Sequence, residues 1–281
     1  MFPLLIAAAL AFTPADAHRT REIASRFVEK CTPREAGTIR GRIASNFILD
    51  EASKAGADVR RDVFQARTPK GERQMVNLYT EFVSDASKPW VVLVSHFDTK
   101  PDTDCPGAND GASTTALLIS LIDVLSRWET PKGNVMLVWT DGEECFRQYG
   151  GEDGLWGSKQ AVKRIQDRGI KVRAVINLDM LGDEDLKISV PANGTPSLSK
   201  IAVHAARRAG CPDLVAPIAE NVKDDHEPFL NAGFSAIDLI DFEYGQGNAY
   251  WHTSEDTMEH VSEASLLKAG RLVAELLNIL L

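Results

Sequence analysis

The sequence predicts an α/β fold, a three-layer sandwich whose central mixed, largely parallel β-sheet is flanked by helices. Short apolar runs at 90–94, 135–139, 174–178 and 236–240 have the near-continuous hydrophobicity of strands buried on both faces. Helical apolar spacing separates them at 112–127, 157–168 and 197–208, and a closing helical pattern covers 262–280. Each run leads directly into polar residues, as expected where a site forms beyond the carboxyl ends of parallel strands.

The elements follow in order. Residues 34–55 mix helix formers with helical apolar spacing, which predicts helices there. Segments 58–66 and 74–83 alternate apolar and polar residues around Thr68-Pro69-Lys70-Gly71, the pattern of a β-hairpin with a longer turn and of an antiparallel edge. No Pro/Gly/Ser-rich linker, repeat or low-complexity tract interrupts the 281 residues, so 18–281 reads as one domain with a sizeable core.

The first residues read differently. An apolar run over 2–12, then Thr13-Pro14 and the small-x-small triplet Ala15-Asp16-Ala17, predicts a secretory signal peptide over 1–17, with only the α-amine as positive charge before the run. The mature chain is then expected to be exported, periplasmic or secreted, and a monomer. No later run approaches the roughly 20 apolar residues of a membrane span. The formal net charge of −9 disfavours nucleic acid, which wants a basic face. In an exported chain Cys31, Cys105, Cys145 and Cys211 permit two disulfides, and Cys105 and Cys145 lie in loops near the polar clusters where they could pair.

The polar clusters are His96-Phe97-Asp98, Asp141-Gly142-Glu143-Glu144, Asp179, and the stretch from Asp241 to His252. Asp110 sits in Gly107-Ala108-Asn109-Asp110-Gly111 before a helix, where taken alone it would be a turn or N-cap aspartate. Asp110, one residue of the Glu143-Glu144 pair and His252 offer two carboxylates and an imidazole, a three-ligand set that leaves zinc one open position. The spare glutamate is then a general base or acid. Asp98, two residues from His96, could orient the histidine or the site around it. Asp179 ends a buried run and needs a partner or a metal to offset its desolvation. Asp224-Asp225-His226 precedes Pro228-Phe229-Leu230, which places two acids at the positive end of a helix.

Taken in order, His96-x-Asp98, Gly107-Ala108-Asn109-Asp110, Glu143-Glu144, Asp179 and His252 resemble the zinc aminopeptidases of the M28 type, over roughly residues 75–281. Two details look more like the related animal-type glutaminyl cyclases. Residues 145–153 intervene between the glutamate pair and Gly154-Leu155-Trp156-Gly157-Ser158, an insertion similar to the cyclases. Asp224-Asp225-His226-Glu227-Pro228-Phe229-Leu230 looks like their Asp-Asp-His-x-Pro-Phe-Leu motif. The resemblance implies zinc on Asp110, Glu144 and His252, with Glu143 moving the proton in hydrogen bonds with Asp179 and Asp224. It implies that Trp251 walls the pocket, with Tyr149 beside it where the cyclases tend to have tryptophan. Lys223 stands where they tend to have glutamine, and 243–250 lacks their proline-rich character. His96 and Asp179 remain available to a second metal.

The activity this implies is cyclisation of N-terminal glutamine to pyroglutamate with release of ammonia, on peptide or protein N-termini. The alternative is a metallo-aminopeptidase in which Glu143 activates a water, for which two metals are favourable. A non-catalytic binding module predicts a missing ligand or base, and this chain keeps every one.

Overall fold

The computed structural model describes residues 9–128, 133–150 and 152–281. The expected hairpin is β1 (Arg60–Thr68) and β2 (Gly71–Phe82), paired antiparallel from Arg60↔Tyr79 to Thr68↔Gly71. The four apolar runs are β3 (Trp90–His96), β4 (Asn134–Thr140), β5 (Val172–Asp179) and β8 (Ala236–Ile240). Two short strands, β6 (Ile188–Val190) and β7 (Val215–Pro217), complete an eight-stranded sheet in the order β1-β2-β4-β3-β5-β8-β6-β7. The centre β4-β3-β5-β8 is parallel, while β2 meets β4 and β6 meets β8 antiparallel. This is the mixed, largely parallel sheet expected from the apolar runs. Three-residue strands show no periodicity, which is why β6 and β7 do not stand out in the sequence.

Seven helices among the described residues cover the sheet: α1 (Pro14–Cys31), α2 (Ile39–Lys54), α3 (Thr114–Ser126), α4 (Trp156–Asp167), α5 (Pro196–Arg208), α6 (His226–Asn231) and α7 (Glu263–Leu280). Alternate strand residues point to opposite faces, and β3 makes the division plain. Val91 and Leu93 pack with Phe27, Leu117, Leu121 and Val273, from α1, α3 and α7. Val92 and Val94 pack with Ala161, Ile165 and Phe229, from α4 and α6. Both faces of β3 are therefore closed to water, and the only polar exits are the strand ends.

The helix α1 includes the triplet Ala15-Asp16-Ala17. Thr13 and Asp16 form a reciprocal capping box at its start, and the carboxylate of Asp16 also accepts from Arg127 at 2.9 Å. Leu10 and Phe12 are buried, and Phe12 lies against Gly270 of α7. Residues 10–17 are thus packed as part of the domain, whereas Met1–Ala8 of the apolar run lie outside the described residues. No helix among the described residues is long and apolar enough to cross a membrane.

Cys105 and Cys145, which the sequence allows to pair, are not bonded to each other. All four thiols are free, with Cys105 Sγ facing Asp256 at 3.7 Å and Cys145 Sγ taking a hydrogen bond from Lys100 at 3.2 Å. Cys31 lies in the hydrophobic core.

Candidate metal centre and active site

Four loops at the carboxyl ends of the parallel strands converge. β3 delivers His96 and Asp98, β4 delivers Glu143 and Glu144, β5 delivers Asp179, and the long segment after β8 returns with Trp251 and His252. Ala108–Ser113, an irregular wide turn before α3, supplies Asp110. Gly111 adopts φ +94°, and a Cβ there would meet His96 Cε1 at 3.1 Å, so only glycine lets this turn approach the histidine. His252 itself has φ +59°, a left-handed conformation costly for a non-glycine residue and held by its surroundings.

Asp110, Glu144 and His252 form the cluster expected from the sequence. His252 Nε2 lies 2.9 Å from Glu144 Oε1 and 3.3 Å from Asp110 Oδ2. Ligand atoms held tetrahedrally at zinc-ligand bond lengths are about 3.3 Å apart, so the donor set fits an ion of that size. The other oxygen of Asp110, Oδ1, is 3.1 Å from His96 Nε2, which is also 3.1 Å from Asp179 Oδ1. Both trios are grouped closely enough to hold an ion, and Asp110 belongs to both.

The carboxylates and imidazoles of the two trios act on one another's charge. Burial raises the Asp110 carboxyl, but hydrogen bonds from His252 and His96 outweigh it and hold it below the usual range. Burial opposes charge on His252, yet its bonds to Asp110 and Glu144 prevail and raise it to about 9. His96 is likewise held protonated by Asp179, Asp110 and Asp98 against its burial.

Glu143 is buried beside this cluster, and desolvation, then the charges of Glu144 and Asp224, push its carboxyl well above the ordinary range. Its hydrogen bond comes from the Tyr149 hydroxyl, 3.0 Å from Oε2, which also reaches Glu144 Oε2 at 3.3 Å. No hydrogen bond links Glu143 to Asp179 or Asp224 among the described residues. Asp179 turns its Oδ1 to His96 instead, and Asp224 accepts from the Asp225 amide. Burial lifts Asp179 to about 6 and Asp224 to about 7. Asp224 leans on Asp238, a carboxyl also raised by burial and bonded to Asn177 at 3.0 Å. Trp251 stacks on the His252 ring at 3.9 Å and meets Phe242 edge-on. Asp110, Glu143, Glu144, Tyr149, Asp179, Asp224, Trp251 and His252 line one cleft of about 340 Å³, and His96 lies behind it against Asp110 and Asp179.

Asp98 positions the site as its spacing suggested, and Asp256, Arg34 and Asp153 are positioning groups the sequence did not single out. Asp98 accepts the amides of Gly142, Glu143 and Glu144 at 2.9, 3.1 and 3.2 Å, so it orients the glutamate loop more than it orients His96. Asp256 accepts the amides of Asn109 and Asp110 at 2.7 and 3.2 Å and a bond from Tyr244. Arg34, fully buried, donates to the carbonyls of Phe97, Pro106 and Gly107. The insertion after Glu144 is pinned by Asp153, which accepts the amides of Phe146, Arg147 and Gln148 and so sets Tyr149 over the cleft.

This fold with this cluster of acids and histidines defines a metallohydrolase-type α/β protein, and the family model Peptidase family M28 matches residues 77–277: the chain belongs to that family. Within it the similarity runs to glutaminyl cyclases. The chain is 25% identical over 262 residues to the glutaminyl-peptide cyclotransferase of Drosophila melanogaster, covering 83% of this chain and 73% of the relative. A crystal structure of an Acidobacteriales bacterium glutaminyl cyclase superposes with TM-score 0.91 at 30% identity, covering 100% of this chain and 98% of that one. Aminopeptidase YwaD of Bacillus subtilis is 30% identical over 192 residues, but these cover 65% of this chain and 39% of that protein.

Proposed function

We propose that the protein is a zinc-dependent glutaminyl-peptide cyclotransferase, exported and acting as a monomer on N-terminal glutamine of peptides or proteins. The observation that carries this reading is Tyr149 on the insertion loop, closed over Glu143 and Glu144 in a chain similar end to end to a glutaminyl cyclase. Asp110, Glu144 and His252 would hold the ion. Bound there, zinc supplies a Lewis acid for the side-chain carbonyl of the glutamine and a positive charge that lowers the neighbouring carboxyl.

The protein's own groups do the rest. Tyr149 occupies Glu143 Oε2, which leaves Oε1 free for the substrate. Glu143 takes a proton from the α-amine as its nitrogen attacks the side-chain carbonyl carbon, and a five-membered ring closes. The same carboxyl returns that proton to the amide nitrogen as the carbon–nitrogen bond breaks and ammonia leaves, so Glu143 ends each turnover as it began. Asp224, near Glu143 and itself raised to about 7, makes the proton easier for Glu143 to hold. Trp251 and Tyr149 wall the cleft and exclude the water that would hydrolyse the amide instead.

One observation favours a second reading, an aminopeptidase. His96, Asp110 and Asp179 form a second trio that shares Asp110, the arrangement a two-metal hydrolase needs. Mass analysis of an N-terminal glutaminyl peptide incubated with the zinc-loaded protein decides between them. Cyclisation yields the intact peptide less one ammonia, whereas hydrolysis yields free glutamine and the shortened peptide.

A further inference from the structure

The active cleft is flanked by two others, one of mixed charge that carries two lysines and one predominantly acidic. Lys223 forms part of the wall between the active cleft and a neighbouring cleft of about 460 Å³, which Lys159 also lines. Phe242 forms the wall on another side, where a cleft of about 540 Å³ carries Asp183, Glu184, Asp185 and Glu243, with Lys187 already paired to Glu243.

Neither Lys223 nor Lys159 is ion-paired among the described residues. Lys159 donates to the Gly154 carbonyl at 2.8 Å, and the Lys223 ammonium stands over the backbone of Gly150, a glycine with no side chain to meet it. Two acids share that cleft. Asp153 spends its oxygens on three backbone amides of the insertion loop, and Glu227 sits in the first turn of α6. Glu227 is likewise without an ion-pair partner among the described residues, so this cleft sets two lysines against one carboxylate not bound to backbone amides, and Lys223 is the lysine that also lines the active cleft.

A peptide whose N-terminal residue reaches Glu143 must leave the cleft over one wall, and an extended chain advances about 3.3–3.6 Å per residue. Resting on the cyclase reading, we infer that Lys223, with Lys159 behind it, forms a subsite for a carboxylate carried one or two residues after the N-terminal glutamine. The acidic cleft beyond Phe242 repels the same group, so both walls direct it one way. The carboxylate can be an acidic side chain or the peptide's own C-terminus.

Three peptides separate the sources: Gln-Ala-Glu amide, Gln-Ala-Gln as free acid, and Gln-Ala-Gln amide, with ammonia release followed on the zinc-loaded protein. A charged peptide that uses the subsite has a KM about fivefold below that of the neutral amide, the upper range for one exposed ion pair. The advantage shrinks at high salt. In Lys223→Gln the KM ratio falls to about one, and in Lys223→Glu it inverts. Preference for Gln-Ala-Glu amide assigns the subsite to an acidic side chain, and preference for the free acid assigns it to the chain terminus. Equal KM values for all three peptides, or a ratio that survives Lys223→Glu, overturn the subsite while leaving the cyclase reading intact. No ammonia from any peptide overturns both.

Discussion

Asp98→Asn is the sharpest perturbation of the site that removes no metal-ligand side chain. In the natural chain Oδ1 takes the amides of Gly142 and Glu143, and Oδ2 takes that of Glu144. The asparagine oxygen can replace Oδ1 and keep two of these bonds, now without the charge. Its amide group then faces the Glu144 N–H, donor against donor, in a fully buried place. A lost charge-assisted bond that strands a buried donor costs about 2 kcal/mol, so the unfolding free energy should fall by that amount. The loosened amide belongs to Glu144, and displaced supports of metal ligands typically lower metal affinity about 10–100-fold. Denaturant unfolding of the metal-free protein measures the first effect, and zinc titration against a competing chelator measures the second. A variant within about 0.5 kcal/mol of the natural chain, with unchanged zinc affinity, would refute the claim that Asp98 holds the glutamate loop.

Glu143→Gln should lower kcat about 10²–10⁴-fold with metal retained, whereas His252→Ala should release the metal; activity assays paired with metal analysis separate the two. Burial raises Asp224 and Asp225 to about 7, so these carboxyls favour the folded state while protonated and lose that contribution as pH climbs to 7. Above pH 7 a continuing fall belongs to His252, raised to about 9, so the acids are read between about pH 5 and 7. There the two of them outweigh His226, lowered to about 4 by burial and acting in the opposite sense, and the unfolding temperature of metal-free protein should fall. A flat or rising profile there contradicts the burial of both acids. If export removes residues 1–17, the mature chain starts at His18 without the Thr13 cap, a loss of about 1 kcal/mol before that of Leu10 and Phe12 is added. Intact mass of the exported protein checks the cut, and a mature chain retaining Phe12 places it elsewhere.

What could be read from the sequence was local. Central strands are apolar runs because both their faces are covered, and the polar residues at their ends stand out against those runs. The ligands lie in short motifs for the same reason. What holds them is not local. Asp98 reaches Glu143 across 45 residues, Arg34 reaches Gly107 across 73, and Asp256 reaches Asn109 across 147. Nothing beside Arg34 in the sequence distinguishes a fully buried guanidinium from a surface one. Tyr149 reads as an aromatic wall, while its hydroxyl bond to Glu143 depends on how Asp153 folds the insertion. The start of the chain is ambiguous in physical terms as well, because an apolar segment followed by small residues suits both a leader and a packed helix. In the described residues it is the packed α1 that includes Ala15-Asp16-Ala17.

The central claim is that this site closes a ring rather than admitting water. The direct measurement is the zinc-loaded protein supplied in parallel with Gln-Ala and with leucine p-nitroanilide, following ammonia and nitroaniline. Ammonia from Gln-Ala without nitroaniline, abolished in Glu143→Gln, is the predicted result. Nitroaniline without ammonia would contradict it and make the shared Asp110 the bridge of a two-metal peptidase.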